Sequence, residues 1–303
     1  MKKILLLMAV ALTMAACGQK ENKEQSEEKK VIVPPGMPVA PLPETMTESQ
    51  LPLTANTNPS NQNPSSQDAP VLKFEEGKPL DLSQLMGQRK TLGEQVTAHI
   101  DTVRVKAEEG LADYQYLYGA SYEYGWGVEE DVQQAMSWYK KAADQKQKNA
   151  YNAIGNFYRT GNGVEASPKE ALRWYQLGAA AGDAQAMLNV GNCYFYGMGT
   201  EKNVAQAVQW WQQSAEGENA YAQSQMGDCY LYGLGVAQNI DQAVEYYTKA
   251  SDANIANAQY RLGLLYYYGQ GVDADRTHAK LLMQKARDGG MKEAQDFLDK
   301  NFD

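Results

Sequence analysis

The sequence predicts an all-α protein: a right-handed α-solenoid of five 36-residue helix-turn-helix repeats with N- and C-terminal capping helices, preceded by a disordered linker. Three observations carry that reading. A Gly-x-Gly string returns five times at an unvarying step of 36 residues, at Gly125/Gly127, Gly161/Gly163, Gly197/Gly199, Gly233/Gly235 and Gly269/Gly271. Other columns keep the step: Gly119, Gly155, Gly191, Gly227 and Gly263; Tyr122, Tyr158, Tyr194, Tyr230 and Tyr266; Ala135, Ala171, Ala207, Ala243 and Ala279. A further column, Asp131, Ser167, Asn203, Asn239 and Asp275, holds only residues that cap helix N-termini.

Taken in order, residues 1–16 read as a lipoprotein signal peptide. Lys2 and Lys3 precede an apolar run, Ile4–Met14, too short to span a bilayer. Ala15-Ala16-Cys17 looks like a bacterial lipobox, with Met14 where leucine is commonest. The resemblance implies lipidation of Cys17 and acylation, such as palmitate, of the new N-terminus. Several acyl chains make a firm anchor. Gly18 after the cysteine, by resemblance to sorted lipoproteins, implies the outer membrane, facing the periplasm. The competing reading is an ordinary cleaved signal with an accidental cysteine. Residues 17–90 are assigned to the lipidated cysteine and linker. From Gln19 to about Lys73 the chain is rich in Pro, Gln, Asn, Ser and Glu without periodicity, a composition that cannot offset the entropy of ordering. A short helix around Asp81–Met86 is weakly indicated.

The solenoid is assigned to 91–303, with a capping helix at 94–109 in register with the later second helices. In the repeats, about 111–290, Leu111–Tyr124 reads as a first helix with a stripe at Leu111, Tyr118, Gly119 and Tyr122 and a polar lapse at Gln115. Gly125 ends it and Gly127 extends the turn. The second helix opens on the cap column, with Gln or Glu three places on in four units, a capping-box-like pair. Small residues at Gly119 and Ala135 let two backbones approach, and aromatic pairs such as Trp138-Tyr139, Trp174-Tyr175 and Trp210-Trp211 fill the space. A closing helix is expected at 292–300, where Ala294 and Leu298 continue the columns of Ala258 and Leu262.

Ala184, Ala186, Val190, Gly191, Tyr194, Gly197 and Gly199, with Trp138, Tyr139, Lys140, Lys141, Ala142 and Ala143, resemble the Sel-1-like repeat pattern, a relative of tetratricopeptide repeats. That resemblance implies a protein-binding role.

Catalysis finds little support. The two histidines are His278, at a helix start, and His99, with no partner visible in sequence. The Gly-x-Gly strings lack a following Lys-Ser/Thr, so they read as turns, not phosphate loops. Cys193 and Cys229 share a column one repeat apart, too far for a disulfide, and read as buried fillers. No metal site and no cofactor are expected. From Val105 to Asp303 there are 17 lysines and arginines against 25 aspartates and glutamates, a net charge of −8. Such a surface disfavours nucleic acid and attracts basic partners.

Two columns on the inner face of the first helices look unlike core. One is Ala120, Asn156, Asn192, Asp228 and Leu264; the other is Tyr124, Thr160, Tyr196, Tyr232 and Tyr268. Asn156, Asn192, Asp228, Tyr124, Tyr196, Tyr232 and Tyr268 are the candidate partner-binding residues, because amides bond peptide backbones and tyrosine offers rigid area with a polar tip. The competing reading packs the tyrosines on the next repeat and leaves the asparagines solvated. The expectation is a monomeric, lipid-anchored periplasmic scaffold for a protein or peptide ligand. Alternatives are an immunity protein for a secreted toxin, a surface-displayed binder of host proteins, and a cell-wall hydrolase or β-lactamase-like enzyme.

Overall fold

The computed structural model describes Leu72, Leu80 and residues 89–302. The signal peptide, Cys17, the short helix near 81–86 and nearly all of the expected linker lie outside the described residues. Within them are thirteen helices and no strand: α1 (Arg89–Ala98), α2 (Ile100–Glu108), α3 (Ala112–Tyr124), α4 (Val132–Asp144), α5 (Lys148–Thr160), α6 (Pro168–Ala180), α7 (Ala184–Tyr196), α8 (Val204–Glu216), α9 (Ala220–Tyr232), α10 (Ile240–Asp252), α11 (Ala256–Tyr268), α12 (Arg276–Asp288) and α13 (Lys292–Asn301). Consecutive helices pack as a solenoid, α3/α4 to α11/α12 being the five repeats.

Each first helix ends on the first glycine of its Gly-x-Gly, left-handed at φ between 66° and 73°. Each second helix opens on its expected cap. Asp131, Ser167, Asn203, Asn239 and Asp275 all accept the backbone N–H three residues on. The return arm of a capping box is replaced. The cap residue's own N–H donates to the carbonyl of the tyrosine column, Asp131 to Tyr122 at 3.0 Å and Asn203 to Tyr194 at 2.7 Å, so backbone closes the turn.

The expected single N-terminal helix is two. His99 N–H bonds the Val96 carbonyl, three residues back, and its ring Nδ1 sits 2.9 Å from the Gln95 carbonyl, so α1 tightens there and α2 restarts. The break sets Ile100 under Gly127 and lays Gly93 against the Trp126 ring. Leu72 and Leu80 are buried with Leu92, Val96, Val103 and Ala107, and Leu72 N–H donates to Gln95 Oε1. At these two points the stretch assigned to the linker is docked, because the apolar end of the array needs a cover. Leu111 is the exposed cap of α3, and Gln115 is buried, reaching the Ala107 carbonyl at 3.3 Å and taking a bond from Gln145 at 2.8 Å. The polar lapse is thus a satisfied core amide. At the far end Ala294 and Leu298 are buried as expected.

Every second helix ends through another column that the sequence reading overlooked. Gly110, Lys146, Gly182, Glu218, Asn254 and Gly290, again 36 apart, all have positive φ. The residue after each bonds back, as Asn219 N–H does to the Ser214 carbonyl at 3.1 Å. Glu218 holds φ 61° in the open. Glu218→Gly removes a left-handed penalty of about 1–2 kcal/mol at an entropic cost of about 0.5–1 kcal/mol, so a gain of about 0.5–1 kcal/mol is expected. A thermal melt showing a loss would contradict this.

Asp183 caps α7 from a buried position. Burial pushes its carboxyl up to about 6, outweighing the backbone bonds from Gln185 and Ala186 and the Lys148 charge. The folded chain therefore holds this proton more tightly than the unfolded one. Its contribution to stability is complete below the ordinary value of 3.8 and is lost as the pH rises through about 6. Asp183→Asn keeps a cap, as Asn219 does one repeat on. It is expected to change little near pH 4 and to stabilise at pH 7.5 by on the order of 1–3 kcal/mol. Denaturant titrations at both pH values decide; no gain at pH 7.5 counts against it.

Candidate functional site

The inner face of the first helices is built on a glycine–aromatic contact. A Cβ at Gly155 would meet the Tyr175 ring at 2.5 Å, at Gly191 the Trp211 ring at 2.5 Å, and at Gly227 the Tyr247 ring at 2.5 Å. Each ring passes under its first helix and presents a donor beyond it. Tyr175 Oη donates to Asn156 Oδ1 at 2.7 Å, Trp211 Nε1 to Asn192 Oδ1 at 3.1 Å and Tyr247 Oη to Asp228 Oδ1 at 2.6 Å. In the first repeat Ala120 cannot accept, and Tyr139 Oη donates to Glu123 one turn along. In the fifth, Leu264 shares a core with Met283, which has no proton to give.

This corrects the sequence reading of the column as unlike core. Ala120, Asp228 and Leu264 are buried, and Asn156 and Asn192 are half-buried with their amide oxygens engaged inside their own repeats. In the tyrosine column Tyr232 is buried, while Tyr124, Tyr196 and Tyr268 are half-buried.

Polar ties also link successive repeats. Asn189 Nδ2 donates to Asn152 Oδ1 at 2.7 Å, Asn219 Nδ2 to Gln185 Oε1 at 3.1 Å and Asn257 Nδ2 to Ser224 Oγ at 3.1 Å. Asp228 and Arg261, both buried, form an ion pair at 3.5 Å between the fourth and fifth repeats.

A recess opens on this face between the first two repeats, about 580 Å³ including its solvent-filled mouth. α1 contributes Arg89 and Leu92; α3 and its turn contribute Tyr116, Ala120, Glu123, Tyr124 and Trp126; α4 contributes Tyr139; α5 contributes Asn149, Asn152, Ala153 and Asn156. Burial raises the Glu123 carboxyl, countered by bonds from Tyr124 and Tyr139 and by the Arg89 charge. Burial raises the Tyr116 and Tyr124 hydroxyls too. These phenols stay neutral and offer hydrogen bonds around aromatic walls. No group of three or more His, Cys, Asp or Glu among the described residues is placed to hold a metal, and no described helix is long and apolar enough to cross a membrane. Cys193 and Cys229 are buried free thiols, and burial pushes the first up to about 12. His278 is half-buried, its ring edge-on to Tyr266 at 4.5 Å.

The sequence matches the Sel1 repeat over residues 112–146, 148–183, 184–219, 220–255 and 256–291, more than half of the chain. It belongs to the Sel1 repeat family. Among solved structures, a Sel1 repeat protein from Oxalobacter formigenes is 32% identical over 62% of this chain and 77% of that one, with a TM-score of 0.59. A protective antigen of uropathogenic Escherichia coli displaying an SLR fold is 28% identical over 73% of this chain, with a TM-score of 0.60. This chain spans 52% of that antigen's length. No curated protein matches.

Of the seven candidate partner-binding residues, the Sel1 array brings only Tyr124 and Asn156 into the recess. Asn192, Tyr196, Asp228, Tyr232 and Tyr268 are spread along later repeats. Glu123, Asn149 and Asn152 were missed. Asn149 and Asn152 precede Asn156 by seven and four residues, a helical spacing that marks one face. Glu123 and Arg89 carry no such signal, since they meet only once α1 folds over α3.

Proposed function

We propose that this Sel1 repeat protein is a scaffold that binds another protein along the inner face of its first helices, with the recess of the first two repeats as one anchoring point. The single observation that carries this is the recess itself: four aromatic residues, three asparagines, Arg89 and Glu123 gathered on one face of a Sel1 repeat fold. Attachment through a lipid on Cys17, and an outer-membrane address facing the periplasm, belong to the same proposal and are supported by the lipobox-like Ala15-Ala16-Cys17 alone.

Ala153→Arg tests it. Ala153 lines the recess from α5, so a long charged side chain there fills the space while keeping a good helix former. The tagged full chain and the variant are compared for partners recovered from the source cells, with circular dichroism to verify folding. A partner lost from the folded variant supports the reading; one retained unchanged sinks it. A recovered toxin would make the role immunity, and an envelope protein would make it assembly.

A further inference from the structure

The recess already holds a guanidinium of its own. Arg89, the first residue of α1, lays its guanidinium carbon 4.3 Å from the centre of the Tyr124 ring. Tyr124 leans on Trp126 with ring centres 5.1 Å apart, and Tyr116 and Tyr139 face each other at 5.5 Å. Among these rings Glu123 keeps a carboxylate that accepts from Tyr139 Oη. Aromatic faces around one carboxylate form an environment for a planar cation: the rings attract it through their quadrupoles, the carboxylate through its charge.

We propose that this recess is a guanidinium-binding site, occupied by Arg89 in the unbound chain, and that an arginine side chain of a basic partner displaces Arg89 on binding. The proposal rests on the reading of this face as a binding surface and names the chemistry of its anchor. Three features favour an arginine from outside. Arg89 sits at a helix start, so it can leave without opening a helix. The array from Val105 onward carries a net charge of −8 and draws basic partners. Asn152 and Asn156 line the same recess and, with their Oδ1 atoms taken by Asn189 and Tyr175, turn Nδ2 donors to the backbone beside an entering side chain.

The test uses the full chain with Arg89→Ala and the probe acetyl-Gly-Arg-Gly-amide, followed by calorimetry and by tryptophan fluorescence. If Arg89 competes for the site, removing it is expected to tighten binding about tenfold or more, because the competent state no longer has to be vacated. The same peptide with citrulline, a neutral copy of arginine, is expected to bind about tenfold more weakly or not at all. Adding Glu123→Gln to Arg89→Ala is expected to abolish the preference for arginine. The citrulline comparison needs no change at Glu123, so the outcome stands even if that variant folds poorly. Equal binding of both peptides, equal affinity with and without Arg89, or no binding to Arg89→Ala would overturn the proposal. Should the peptide fail while Ala153→Arg still loses its partner, the binding surface stands and the guanidinium assignment falls.

Discussion

Gly199→Ala is expected to destabilise the array by about 3–5 kcal/mol, whereas Gly197→Ala, two residues away, is expected to cost only about 1–2 kcal/mol. Both glycines are left-handed, at φ 69° and 73°. A Cβ on Gly197 would find its nearest neighbour, Lys202 N, at 3.4 Å, an ordinary contact, so only the backbone penalty remains. A Cβ on Gly199 would fall 2.3 Å from the Pro168 carbonyl oxygen and 2.7 Å from Lys169 N. That is peptide backbone at the start of α6, in the preceding repeat, and it cannot rotate away. The other second glycines press on the same helix start, Gly163 on Val132, Gly235 on Val208 and Val204, and Gly271 on Ile240. The expectation that this glycine merely extends a turn understates it, since it sets the stacking distance between repeats. Urea melts of the two variants, followed by circular dichroism, decide the matter. Equal losses would mean that the array re-spaces without difficulty.

Asp228→Ala is expected to cost about 3–5 kcal/mol, the range for stranding one member of a buried ion pair. The substitution removes the acceptor of Tyr247 Oη and the counter-charge of Arg261, which is 7% exposed. Arg261 Nε and Nη1 are already buried without a hydrogen bond, so nothing near them takes over. Burial raises the Asp228 carboxyl more than Arg261 and the bonds from Tyr247 and Asn257 lower it, which marks the pair as expensive to keep. Replacing both charged partners, Asp228→Leu with Arg261→Met, removes the stranded guanidinium but still leaves Tyr247 Oη without its acceptor, so it is expected to cost less than Asp228→Ala, about 1–3 kcal/mol. The fifth repeat shows the fully apolar version, with Leu264 in the column of Asp228 and Met283 in that of Tyr247. A double variant as unstable as the sum of the singles would refute the coupling.

The starts of the second helices, the stops of the first helices and the closing helix were legible because each depends on residues within one turn or on a column repeated every 36 positions. Asp131 and Gly125 need only their immediate neighbours to act. The site was legible in part. Tyr124 and Asn156 were marked by column, yet the reason for marking Asn156 was mistaken: its oxygen serves Tyr175. The positive-φ column was hidden because Lys146 and Glu218 occupy it in place of glycine.

The period, the two helices per period and most of the caps follow from local backbone chemistry summed over five copies, and the acidic balance from side-chain composition alone. Tertiary structure alone decided which polar residues are spent inside the array and which remain for a partner. Asn156 and Asn192 look alike on a helical wheel with Asn152, but the donors that claim them lie 19 residues away across a helix pair, and the tie from Asn152 runs 37 residues to Asn189. Such distances are invisible to periodicity, because identical columns meet different neighbours wherever one unit, such as Ala120 in the first repeat, lacks the group that its copies share.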